Sequence, residues 1–188
     1  MKRAAGLLLL PLLLSCEDSL DKLYPETPPV QLPAATQAGV NTFGCRLNGQ
    51  VWEANNTRTL AGKVITPTAH YRHGALRIDA FRRLQVLGPI TNFRFTVGPV
   101  TGPGVYKLGP AEPQSGGHAQ LKTSAGALAY ATDAQQPGTL TITRLDTTGP
   151  HPFVAGRFEL LARARADSAG FPASLRITEG RFDIQLSR

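Results

Sequence analysis

From Phe43 onward, apolar residues recur at every second position in short runs broken by Gly, Pro, Asn and Asp, and no stretch keeps the 3.6-residue spacing of a helix. The clearest run, Phe43-Gly44-Cys45-Arg46-Leu47, is followed by Asn48-Gly49 and then by Gln50-Val51-Trp52-Glu53-Ala54. Asn-Gly suits a two-residue type I′ turn, whose central residues both need positive φ. The resulting register places Cys45 across from Trp52 and Phe43 across from Ala54. These four residues and Leu47 then share one face, predicted to be core.

A second hairpin is expected from Ala69 to Leu84, turning at His73-Gly74, with Tyr71, Leu76, Ile78 and Ala80 inward. Further strands are expected at Thr91 to Val97, with Phe93, Phe95 and Val97 in phase, and at Gly104 to Leu108 after Gly102-Pro103-Gly104. Others follow near Ala119 to Thr123, Ala127 to Thr132 and Thr139 to Leu145. Close to the end, Gly156-Arg157-Phe158-Glu159-Leu160 returns as Gly180-Arg181-Phe182-Asp183-Ile184. Period two turns Phe158, Leu160, Phe182, Ile184 and Leu186 inward and leaves Arg157, Glu159, Arg181 and Asp183 outward, with opposite charges able to meet if the strands pair antiparallel. The apolar phase switches between Leu175-Ile177 and Phe182-Ile184, which a bulge at Glu179-Gly180 would explain. About ten short strands without crossover helices predict an all-β domain, an antiparallel two-sheet sandwich, with a closed or partly open antiparallel barrel as the alternative.

Before Phe43 the pattern is different. Met1-Lys2-Arg3 precedes an apolar run from Ala4 to Leu14 that is too short to span a bilayer, and Leu13-Leu14-Ser15-Cys16 has the layout of a lipoprotein cleavage site. Residues 1–15 are thus expected to be a signal peptide and Cys16 the lipidated first residue of the mature chain, held to the membrane by acyl chains such as palmitate. From 16 to 42, Pro25, Pro28, Pro29 and Pro33 with few apolar residues predict a disordered, extended tether. Residues 43–188 make one domain.

Charge is divided unevenly along this plan. Glu17, Asp18, Asp21 and Glu26 lie in the tether, so the domain keeps nine acids against seventeen bases, fourteen of them Arg. A basic domain can hold anionic glycan or another polyanion through Arg forks. The bases are spread out, however, with no run beyond Arg82-Arg83, and specific nucleic-acid binding is not expected. With Cys16 acylated, Cys45 has no partner for a disulfide and is expected to be buried between Phe43 and Leu47.

Residues with catalytic or ligating chemistry are sparse. His70 and His73 are three apart and would diverge on a strand, while His118 and His151 fall in loop-like sequence. No metal site, cofactor or catalytic constellation is expected, and the chain reads as a non-enzyme. With Trp52 assigned to the core, Tyr106 and Tyr130 are the remaining candidate surface platforms, but burial in the core is the expected place for both.

The lipobox, Phe43-Gly44-Cys45-x-x-Asn48-Gly49-x-x-Trp52, Pro103-Gly104-x-Tyr106-x-Leu108, Gly156-x-Phe158 and Ile177-Thr178-x-Gly180-x-Phe182-Asp183 together resemble an uncharacterised Bacteroidota envelope lipoprotein family. The resemblance implies an outer-membrane lipid anchor and an all-β domain facing the periplasm or the cell surface. It also implies acidic export signals such as Glu17-Asp18, and O-glycan acceptors at Asp18-Ser19-Leu20, Asp146-Thr147-Thr148 and Asp167-Ser168-Ala169. The function expected is that of a lipid-anchored binding or accessory domain with an envelope glycan or protein partner, its ligand-binding residues open. The alternatives are a glycan-acting hydrolase with a loop-built site, or a basic polyanion-binding surface.

Overall fold

A computed structural model describes residues 29–57, 62–83, 90–110, 117–123, 129–166 and 170–187. Cys16, the leader, the first part of the expected tether (16–28), Asp18-Ser19-Leu20 and Asp167-Ser168-Ala169 lie outside the described residues.

The described residues form strands and turns, with no helix among them. The first hairpin is β1 (Thr42–Leu47) and β2 (Gln50–Glu53), and Asn48 and Gly49 turn it with φ of 49° and 85°. Cys45 pairs with Trp52, and the Ala54 N–H donates to the Phe43 carbonyl, as the type I′ register requires. Next come β3 (Asn55–Asn56) and β4 (Val64–Ile65), a small separate pair, and then β5 (Thr68–Arg72) and β6 (Ala75–Arg82). His73 and Gly74 turn β5 into β6 with φ of 48° and 79°, and His73 is, with Asn and Asp, one of the side chains that enter this left-handed region more readily than most. The remaining strands are β7 (Thr91–Val97), β8 (Gly104–Leu108), β9 (Gly117–Thr123), β10 (Ala129–Ala131), β11 (Gly138–Asp146), β12 (Phe153–Ala164) and β13 (Ser174–Ser187).

The all-β expectation holds, with two refinements. One eleven-stranded sheet runs β2-β1-β13-β5-β6-β7-β9-β10-β12-β11-β8, and β13 also pairs with β12, so the path from β13 through β5, β7 and β10 returns to its start as a partly closed ring. The sheet is mixed, because the tail of β13 runs parallel to β5 at Leu186 and Ser187. The two faces that pack together are opposite sides of this ring. Phe43 of β1 stacks 4.9 Å from Phe158 of β12 and lies 5.6 Å from Phe93 of β7, while Phe95 of β7 lies 4.9 Å from Phe158. Stacked and tilted ring contacts of this kind add about 0.5–1.5 kcal/mol per pair to the area buried.

The closing repeat pairs antiparallel, but not as its charges suggested. Arg157 stands opposite Arg181, and Asp183 opposite Ala155. The bulge is at Glu179, which takes a φ of 52°. It shifts the register between Phe158 and Leu160, bringing Ile177 and Phe182 to the same buried side. Asp183 is buried, not exposed. It points away from the core, as period two demands, but the chain ahead of β1 lies across it. The Ala38 and Gly39 N–H groups donate to its carboxylate at 2.9 and 2.7 Å. Pro33 sits against Gly44, the Pro33 carbonyl accepts from Arg181, and Asn41 accepts from the Gln185 N–H. The part of the expected tether from Pro33 to Asn41 is therefore docked onto β1 and β13.

Candidate ligand groove on the outer face of β5, β6, β7 and β9

Where β5, β6, β7 and β9 lie side by side, their inward residues, among them Ile78, Ala80, Phe93, Phe95 and Leu121, enter the core. The outward residues are fixed by register. Thr68 stands beside Asp79, Asp79 beside Arg94, and Arg94 beside Gln120. One pleat further, Phe81 stands beside Asn92 and Asn92 beside Lys122. Together with Thr66 these side chains line a surface groove of about 390 Å³, near the small end of the roughly 300–1,000 Å³ typical of ligand clefts.

Phe81 is the unusual member. The alternation along β6 sends Leu76, Ile78 and Ala80 inward, so the next residue must face out, and the half-buried Phe81 places a ring among polar side chains. Thr66 holds the backbone there: its hydroxyl donates to the Phe81 carbonyl and accepts from the Phe81 N–H at 3.3 Å.

Asp79 lies between two guanidiniums, with Arg77 Nε and Arg94 Nε each 2.6 Å from one of its oxygens. Burial raises its carboxyl, but hydrogen bonds and charge from Arg77 and Arg94 outweigh this and hold it below the usual carboxylate range. Asp79 therefore stays ionised and engaged. Asn92, Gln120 and Lys122 make no side-chain hydrogen bond or ion pair to another described residue, which leaves two amides and an ammonium facing the groove.

The residues singled out from sequence lie elsewhere. Cys45 is fully buried and its thiol is pushed up to about 12 by burial, which the charge of Arg82 only partly opposes. Arg82 is half-buried and donates to the Val51 carbonyl; burial lowers its pKa against the opposing charge of Glu53. The Arg82-Arg83 pair is thus packed rather than displayed. Tyr130 is buried with its hydroxyl on the Pro172 carbonyl, and Tyr106, partly buried, packs against the core while donating to the Gly102 carbonyl at 2.6 Å, so both go to the core as expected. His70, His73 and His151 are exposed, and no cluster of metal-ligating residues occurs among the described residues. His118 lies on β9 opposite Thr96. Thr147 is exposed in the β11–β12 turn, where Asp146 accepts from the Thr148 and Gly149 N–H groups.

Sequence reasoning missed Phe81, and one signal could have found it. A large apolar residue out of phase with an otherwise clean inward set is either misassigned or displayed.

No family model, curated protein or solved structure matches this chain. Among the described residues no helix is long and apolar enough to cross a membrane.

Proposed function

We propose that this protein is a lipid-anchored component of a bacterial outer membrane whose β-domain binds an envelope or extracellular ligand without transforming it. In this reading Cys16 carries the acyl chains, and the chain after it places the domain away from the lipid. The observation that carries the binding function is the outer groove, where the Phe81 ring, the Asn92 and Gln120 amides, the Thr68 hydroxyl, the Asp79 carboxylate and the Arg94 and Lys122 cations share one face of four adjacent strands.

The groove itself is not lined like a glycosidase site. Glycoside hydrolysis uses two carboxyl groups roughly 5–10 Å apart, one of them held protonated. The groove is lined by one carboxylate, Asp79, which is ion-paired and kept ionised.

The anchor and the orientation are tested together by protease treatment of intact cells that carry the native chain or Cys16→Ser. Loss of membrane association in the variant is expected, and a variant that stays membrane-bound overturns the anchor. Binding is tested with envelope polysaccharide immobilised from the same cells. The full chain is expected to bind, and Phe81→Ala to weaken binding about 10-fold or more, in line with the loss of a stacked ring. Absent binding, or equal binding by the two proteins, overturns the groove as the ligand site.

A further inference from the structure

From the chemistry of this groove we infer that its ligand is an anionic saccharide, a sugar bearing carboxylate or sulfate; this rests on the groove being the ligand site. Three features of the lining converge on that class. The first is charge. Arg94 and Lys122 face the groove against a single carboxylate, and Arg77 at its rim shares that carboxylate, so positive charge is in excess. Only the Nε of Arg94 is committed to Asp79, which leaves its terminal N–H groups for a forked contact with a second anion.

The second feature is the ring. Phe81 lies one strand position from Asn92 and, across that strand, in the same row as Lys122. Neighbouring strands are about 4.8 Å apart, so an apolar surface, an amide and an ammonium follow one another across about 10 Å. A pyranose presents the same alternation: an apolar C–H face, equatorial hydroxyls, and in an acidic sugar a charged substituent. A bare inorganic anion gains nothing from Phe81, and a neutral sugar offers Lys122 hydroxyl acceptors but no countercharge.

The third feature is preorganisation. Asp79 ties Arg94 in place across the strands, and Thr66 fixes the backbone beneath Phe81. Groups already ordered lose less side-chain entropy when a ligand arrives.

The test uses the full chain, titrated by calorimetry with trigalacturonate, with a sulfated chondroitin tetrasaccharide and with maltotriose, at low and at physiological salt. Binding of trigalacturonate or of the sulfated tetrasaccharide is expected, with maltotriose at least 10-fold weaker. Lys122→Gln and Arg94→Gln should each weaken the anionic ligand about 10-fold, Phe81→Ala should weaken it at both salt concentrations, and Arg157→Gln, exposed on β12, should leave it unchanged. These four variants alter exposed or half-buried side chains, and unchanged thermal unfolding checks that each is folded.

Other outcomes overturn the inference in distinguishable ways. If maltotriose binds as well as the anionic sugars and Phe81→Ala abolishes it, the groove is a sugar site and the anionic assignment fails. If anionic sugars bind but Arg157→Gln weakens them as much as Lys122→Gln does, diffuse surface charge is responsible and the assignment fails. If no sugar binds, the groove reading fails with it.

Discussion

A Cβ atom on Gly180 would stand 2.4 Å from the ring of Phe158 across the β12–β13 ladder, and the relationship is reciprocal, since one on Gly156 would meet the ring of Phe182 at 2.6 Å. The register pairs Phe158 with Gly180 and Gly156 with Phe182, so each ring lies over the other strand's glycine. The repeated Gly-x-Phe is thus a packing device in which the glycine makes room for the opposite ring and for a cross-strand carbonyl, with the Phe158 carbonyl oxygen 2.4 Å from a Cβ at Gly180 and that of Thr141 2.2 Å from one at Gly156. Gly180→Ala and Gly156→Ala are each expected to destabilise the domain by about 1–3 kcal/mol, the usual effect of overpacking a filled core. Gly180→Ala combined with Phe158→Ala should cost less than the two single changes added together. Urea unfolding of the three proteins measures this, and strict additivity would show that the ring and the glycine do not share the space.

Asp183 should act as a latch on the chain ahead of β1. Asp183→Asn replaces one acceptor oxygen with an amide and leaves the Ala38 or Gly39 N–H without its charged partner, a loss of about 1–3 kcal/mol. Hydrogen exchange should then quicken at these two amides well before it changes in the core strands. Equal protection in the variant would mean that Pro33 and Gln185 hold the segment without the carboxylate.

Cys45 should be silent to thiol reagents in the folded protein and react fully on unfolding. Burial raises its pKa from 9.0 to about 12, so the folded state retains a proton that the unfolded chain releases. The stability tied to this group is complete below pH 9 and is lost as pH rises from there toward 12. Unfolding followed over this range should show a shallower decline for Cys45→Ala than for the native chain, and parallel curves would refute the assignment.

Asp79 works in the opposite sense. Its folded-state carboxyl lies below the usual range, so its contribution is present at neutral pH and disappears as pH falls through that lowered value. As a half-exposed ion pair it should contribute only about 0.2–1 kcal/mol per partner. Asp79→Asn is therefore expected to leave the melting temperature nearly unchanged at pH 7 while tightening the binding of anions in the groove, because both guanidiniums lose their carboxylate. Weaker anion binding would instead mean that Asp79 is needed to hold Arg94 in place.

The hairpins were legible because their information is local. Asn48-Gly49 determines its own turn within two residues, and the phase slip from Ile177 to Phe182 identifies the bulge within one strand. The groove was not legible, because Thr68, Asp79, Asn92 and Lys122 are distant in sequence and become neighbours only through register across four strands. Asp183 was misread for a related reason. Period two says which way a side chain points, but not whether another segment lies across it. The pairing of Arg157 with Arg181 shows the same limit, since charge order along a strand does not set which residue it meets.

Strand β13 joins β1, β12 and β5, the last element described before the end of the chain uniting three that precede it. A polypeptide emerging from its N-terminus therefore exposes the open margins of β1, β5 and β12 until β13 arrives, and long-range pairing of this kind is slow and prone to aggregation. The ring is therefore completed only when this last described strand pairs with all three.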